Sequence, residues 1–390
     1  MSTDNRNNTL GAFYTTGGLR ELVPIYPLYA IMFGAHGISA FELSSLFFIW
    51  ALVGLVTEVP SGAWADTYSR KWIVVASGLF KSVGFLCWFL WQDFAGYALG
   101  FVFWGLGSSL RSGAYEALLH DVLASWDESK KFTLHYGRIR SLATFSAMFG
   151  EILGGFLIIY GYDLVLLVSM LVPLVATIPF ILFVSDVKKD GPTADPDYLT
   201  HLKGGVREAM ENKSIAFIFL ATTFLIVAYG VYDEYVPPVM FEKGFSLSTV
   251  AFLAAPVFMA QALGEFLAYR FSGLSFDHLL LLMILGSVFL LPVYWLEGYW
   301  VPLVMMGFFF TFGLASTLFA SQLQKKIAGA SRATVTSLVG LGDSTGAMIW
   351  FMIFGAIAEF TSMSGSTSLF TLLIIFACLA ARKLLRLWRI

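Results

Sequence analysis

The chain has 390 residues, of which 58% are hydrophobic, 17% aromatic and only 13% charged, and its mean hydropathy is +0.76. Soluble domains carry about 25% charged residues, so a water-facing surface of ordinary extent is excluded, and a soluble enzyme with it. The formal net charge is −2, and no basic patch suited to nucleic acid interrupts the apolar runs.

The opening residues, MSTDNRNNT, are polar. They lack the apolar core and cleavage site of a signal peptide, so the first helix is expected to insert uncleaved. Apolar segments of spanning length follow near 12–34, 41–63, 72–91, 95–122, 137–160 and 163–184. A polar stretch, 185–213, comes next, and its Asp190-Gly191-Pro192 and Asp195-Pro196 runs read as linker. Six more segments lie near 214–241, 246–270, 277–296, 299–322, 332–359 and 364–386. The expected fold class is therefore an all-α integral membrane protein with twelve transmembrane helices. Its expected parts are 1–184, a six-helix bundle; 185–213, a cytoplasmic linker; and 214–390, a second six-helix bundle. Cys87 and Cys378 both fall inside apolar runs, so neither a disulfide framework nor a cysteine metal site is expected.

Charge placement sets the orientation. Of the 24 Lys and Arg residues, about twenty fall on one side of these segments, among them Arg70, Lys71, Lys130, Lys131, Lys326 and Arg332. Only Lys243 falls in an opposite-side loop, and Arg20, Lys81 and Arg111 lie inside spans. By the positive-inside rule both termini and the linker are expected in the cytoplasm, with the chain in the cell (inner) membrane.

Between the second and third spans stands Gly62-Ala63-Trp64-Ala65-Asp66-Thr67-Tyr68-Ser69-Arg70-Lys71. It resembles the G-x-x-x-D-x-x-G-R-[KR] loop of the major facilitator superfamily, with Ser69 in the place of the second glycine. The resemblance implies two pseudo-symmetric six-helix bundles and secondary transport by alternating access. It also implies a cytoplasmic gate of Gly62, Asp66, Arg70 and Lys71, to which Asp121 and His120 at the end of the fourth span are assigned. In the fifth span, Gly150-Glu151-Ile152-Leu153-Gly154-Gly155 is similar to the G-P-x-x-G-G element of the family's antiporters, with Glu151 replacing the proline. The family's spacing of arginine and glycine in the fourth span is not reproduced by Arg111 and Gly113, so no role passes to Arg111 by resemblance.

Internal repetition points to duplication. Glu58 lies 19 residues after Ser39 in a Gly37-Ile38-Ser39 turn, and Glu265 lies 19 after Ser246 in Gly244-Phe245-Ser246. Glu151 and Asp343 each follow an arginine, Arg140 or Arg332, by 11 residues, and Gly154 and Gly346 then match as well. This is the pattern of parallel repeats about an axis along the membrane normal.

The chemistry is expected where charge enters the membrane, because a charged side chain at the bilayer centre costs at least about 2.5–3.5 kcal/mol and faces a cavity or a partner. At about 1.5 Å per residue, Lys81, Glu151 and Asp343 come out roughly 16 Å deep, with Arg20, Glu58 and Arg111 comparable or slightly shallower. Glu58, Glu151, Asp343, Arg111 and Lys81 are the candidates for proton coupling or charge pairing. Arg20, Glu21, Tyr26, Trp104, Arg111, Tyr115, Glu116, Tyr232, Asp233 and Glu234 are the candidates for a substrate cavity. The plainer readings are that Arg20 with Glu21, or Arg111 with Glu58, form buried ion pairs, and that Glu265 snorkels to the interface. A carboxylate that exchanges its cation during rocking binds and releases a proton within one cycle. Proton-coupled efflux of an amphiphilic or organic compound is thus the expected function, with uptake or facilitated transport of a small organic anion as the alternative. A non-transporting membrane sensor or lipid-handling protein is the reading from outside that class. The expected partners are the lipid bilayer, a small-molecule substrate and protons, with no nucleic acid and the monomer as the working unit. No cofactor, metal site or catalytic residue is expected, since the five histidines show no triad spacing.

Overall fold

Every element of the computed structural model is helical among the residues it describes, 3–185, 213–326 and 332–388. The 185–213 linker expected from sequence lies almost wholly outside those residues. In the first half α1 (Thr3–Gly18), α2 (Tyr29–Ala35), α3 (Ala40–Thr67), α4 (Arg70–Leu90), α5 (Phe94–Ala124), α6 (Phe132–Leu157) and α7 (Tyr162–Phe183) follow in order. The second half holds α8 (Lys213–Ala221), α9 (Val227–Gly230), α10 (Val236–Glu242), α11 (Leu247–Leu267), α12 (Phe276–Leu290), α13 (Trp300–Lys326), α14 (Arg332–Phe360) and α15 (Met363–Trp388). The described residues cluster into two compact units, one within 1–38 and 49–195 and the other within 39–48 and 196–390.

Nine helices among the described residues are long and apolar enough to cross a membrane. Only 28% to 50% of each apolar window is buried inside the protein. Side chains such as Phe266, Trp295 and Phe376 stand well exposed, as a lipid-facing surface requires. The other three expected spans are α5, which carries Arg111 and Glu116, and two segments that are not continuous helices.

Those two interruptions correct the sequence expectation. The 12–34 segment breaks after α1 into a 3-10 turn at Leu19–Glu21 and a non-helical stretch before α2. Pro24 and Pro27 account for this: each lacks an N–H and drives its predecessor out of the helical region. The freed backbone finds other partners, with Leu22 N donating to Leu19 O (3.0 Å) and Ile25 N to Ser169 Oγ (3.0 Å). The 214–241 segment likewise passes through a π-helical turn at Thr222–Ile226 and a 3-10 turn at Val231–Tyr235, ahead of Pro237 and Pro238. Such breaks are tolerated at membrane depth only where protein or a cavity re-satisfies the backbone.

The repeat is visible in the caps. Gly37 and Gly244 hold φ of +88° and +87°, a region open to glycine at no steric cost. Ile38 N donates to Phe33 O (3.1 Å) and Phe245 N to Met240 O (3.3 Å), the same six-to-one bond closing both helices. Ser39 then accepts from Glu42 N (3.2 Å) and Ser246 from Thr249 N (3.2 Å), starting the next helix in each half.

Candidate functional site

In the first unit the break between α1 and α2 delivers two neighbouring charges to different partners. Arg20, 2% exposed, donates from Nη1 to Ser77 Oγ (2.7 Å). Glu21 Oε2 accepts from Lys81 Nζ (2.9 Å) and from Tyr26 OH (2.9 Å). Ser77 and Lys81 are one turn apart on α4, so one helical face takes up both charges of the break. The Arg20–Glu21 pair considered from sequence is therefore replaced by Lys81–Glu21. Adjacent residues of a tight turn point away from each other, and α4 offers a better-placed cation.

Aromatic rings close this cluster. Tyr26 stacks on Trp104 at 5.5 Å between centroids and 12° between planes, and Lys81 Nζ lies 5.2 Å from the Tyr26 centroid and 5.9 Å from that of Trp104. A cation on a desolvated ring gains about 2 kcal/mol, which helps offset the cost of burying Lys81. Trp104 is further backed by Phe101, Trp88, Phe85 and Trp50.

A pocket of about 140 Å³ opens beside Glu21, lined by Arg111, Tyr115, Glu116, Tyr136 and Arg140. The Arg111 guanidinium lies 4.8 Å from the Tyr115 ring centroid and reaches the Gly17 carbonyl at 3.4 Å through Nη2. Tyr115 OH donates to Phe13 O (2.5 Å), which fixes the ring, and Tyr136 OH donates to Glu116 Oε1. Arg20, Lys81 and Arg111 all act electrostatically on Glu21, so three cations surround one carboxylate.

Glu151 sits on α6 behind the same break. It is 7% exposed, and its Oε2 has no hydrogen-bond partner among the described residues. The glycines around it bring α6 against the interruption: a Cβ at Gly150 would lie 2.6 Å from Val23 N, and one at Gly154 would overlap the Pro24 carbonyl. The second unit repeats the device. A Cβ at Gly342 would overlap the Thr223 side chain and one at Gly346 the Thr223 carbonyl, at the π-helical turn. Asp343 stands half-buried between these two glycines.

At one end of the first unit Arg70 ties three helices together. It forms an ion pair with Asp121 of α5 and donates from Nε to Ala65 O of α3 (3.2 Å). Lys71 Nζ donates to Ile181 O of α7 (2.8 Å), and Ser69 caps α4 by accepting from Trp72 N. His120 lies 3.9 Å from Asp121. Gly62 and Asp66 lie on the α3 backbone, and the position of the Asp66 side chain is outside the described residues.

The remaining expected residues are more scattered. Glu58 is exposed on α3, and no ion pair joins it to Arg111 among the described residues. Glu265 is exposed and accepts from Gln261 Nε2 (3.0 Å). Tyr232 is fully buried among Phe308, Phe309 and Phe354, with Thr367 Oγ1 donating to its hydroxyl (3.2 Å). Asp233 and Glu234 are half-buried on the 3-10 turn beside it. Sequence reasoning missed Ser77 and Tyr136 as polar partners and Arg140 as a pocket residue. The one available signal was that Ser77 stands four residues before Lys81.

Comparison with known proteins places this arrangement. A sequence profile described as Major Facilitator Superfamily matches residues 9–350. The chain belongs to the major facilitator superfamily. It is similar to the uncharacterized MFS-type transporter YxaM of Bacillus subtilis, 26% identical over 256 residues, which is 63% of this chain and 62% of that protein. The chain thus spans a little under two thirds of that relative's length. It is also similar to the uncharacterized MFS-type transporter MJ1560 of Methanocaldococcus jannaschii, 23% identical over 282 residues, 72% of this chain and 70% of that protein. Its fold matches the nucleoside transporter NupG with a TM-score of 0.75 at 12% identity, over 98% of this chain and 100% of that one. It also matches a bacterial homologue of the human lysosomal transporter Spinster in an inward-facing, unoccupied form, with a TM-score of 0.72 at 16% identity over 99% of both chains. The family and the nine long apolar helices among the described residues are those of a multi-pass membrane protein.

Proposed function

We propose that this chain is a proton-coupled secondary transporter that exports a small amphiphilic or organic compound across the cell membrane by alternating access. Both termini lie in the cytoplasm in this reading, and the monomer is the working unit. Glu151 carries the proposal: it is a buried acid at the helix break with an oxygen that no described residue satisfies. An unpaired charge at membrane depth is expensive, and binding a proton removes it. Movement of the break relative to α6 changes the surroundings of Glu151 and so links proton binding to rocking. Export rests on the resemblance of the Gly150–Gly155 element to that of the family's antiporters.

A solute found by ligand-induced thermal shift supplies the test. Glu151→Gln mimics the protonated acid, so the purified variant is expected to fold, bind and exchange solute in proteoliposomes while losing accumulation driven by an imposed proton gradient. Uphill transport with unchanged dependence on the gradient would rule Glu151 out. A second reading, uptake or facilitated movement of a small organic anion, is favoured by the three cations around Glu21. Vesicles of known orientation with the gradient imposed in either sense separate the two directions.

A further inference from the structure

We propose that the pocket between α5, α6 and the turn that carries Glu21 is a carboxylate-binding site whose hook is Arg111, and that the transported compound carries one carboxylate on a small flat body. This rests on the reading of the chain as a transporter of a small organic compound, and it goes further by naming the head group and the residues that hold it.

The charge inventory of the pocket leads to this assignment. Its two acids are already engaged: Glu21 by Lys81 and Tyr26, and Glu116 by Tyr136. Its two guanidiniums are not paired with any carboxylate among the described residues. Arg111 has a single long bond to the Gly17 carbonyl, and its Nε is buried without a hydrogen-bond partner. Arg140 stands exposed at the rim. A guanidinium presents donors in a planar fork that matches a carboxylate with two parallel hydrogen bonds. Leaving a buried donor unmade is costly, so a ligand that supplies the missing acceptor is favoured.

Size and charge narrow the class. At about 140 Å³ the cavity admits a head group with a ring or short chain rather than a whole large amphiphile. Ile139 and Ala143 of α6 add an apolar wall beside the fork. An apolar wall suits a ring or short chain better than a bare inorganic anion such as phosphate. Four cations, Arg20, Lys81, Arg111 and Arg140, stand against the two acids Glu21 and Glu116, so an anionic ligand brings the cluster nearer to balance.

The test uses the purified full chain in nanodiscs of zwitterionic lipid at constant pH, with thermal unfolding as the readout and no gradient. Benzoate is the probe, benzamide its uncharged analogue, and inorganic phosphate an anion with no apolar body. Benzoate is expected to raise the unfolding temperature in a saturable way, and benzamide is not. Arg111→Lys keeps the charge but loses the fork, and should weaken benzoate at least tenfold. Arg111→Gln should abolish the shift, and Arg140→Gln should weaken it a few-fold. The assay imposes no gradient, so a failure of proton coupling leaves this site standing. The proposal is overturned if benzoate gives no shift in the parent, if benzamide matches it, if phosphate stabilises more than benzoate, or if Arg111→Lys binds benzoate unchanged.

Discussion

Arg70 shows how one side chain can serve several elements. Its guanidinium reaches the carboxylate of Asp121 and the carbonyl of Ala65 at once, using the spread of donors that a lysine lacks. Side-chain exposure is 14% for Arg70 and 30% for Asp121, between a surface pair and a buried one. Asp121→Asn is therefore expected to cost about 1 kcal/mol of stability, the upper end for solvent-screened pairs. A double-mutant cycle with Arg70→Gln, read by thermal unfolding, should recover most of that loss as coupling. Coupling near zero would show that the pair adds nothing. The same residue-scale logic separates Lys81 from Arg70. Lys81 is 2% exposed, while its half-buried partner Glu21 also keeps the Tyr26 hydrogen bond and stands among other cations, so Lys81→Met removes one charged hydrogen bond without stranding the carboxylate. That change is expected to cost about 1.5–3 kcal/mol, and Glu21→Gln made with it should restore part of the loss in the same assay.

At the scale of elements, the decisive feature is a helix that stops. The stretch between α1 and α2 exposes backbone groups inside the membrane, and α6 approaches it closely because Gly150 and Gly154 carry no Cβ. Gly154→Ala would drive a methyl into the Pro24 carbonyl, and overpacking of this kind costs about 1–3 kcal/mol. Gly137, on the same helix, has open space where a Cβ would stand. Gly137→Ala should therefore gain up to about 1 kcal/mol from helix propensity. Opposite shifts in unfolding temperature for the two alanines are the expected result. Equal shifts would remove the packing account of the break. The matching glycines of α14, Gly342 and Gly346, meet the π-helical turn at Thr223 in the same way, so the duplication noticed as an 11-residue spacing is also a packing device.

For the whole molecule, the consequence of the charge bias is a topology. Labelling of single cysteines introduced at Lys203 and Lys326 is expected to require access from the cytoplasm, and one at Lys243 access from outside. The reverse pattern would invert the orientation and with it the direction assigned to the gate residues.

Much of this was legible in the sequence because hydropathy, charge bias and repeat spacing are properties of short stretches of chain. The helical membrane fold, the family, and the two acids that follow arginines by eleven residues needed no partner to be recognised. The helix interruptions were present as Pro24, Pro27, Pro237 and Pro238, but a hydropathy run averages across a break and hides it. The charge pairs at the break between α1 and α2 were not legible at all. Arg20 and Glu21 are neighbours in sequence, yet one turns to Ser77 and the other to Lys81, about sixty residues away on α4. Only the tertiary structure decides such pairings. A buried charge takes the partner that packing brings within hydrogen-bond reach, and that reach is set by helices meeting in space rather than by distance along the chain.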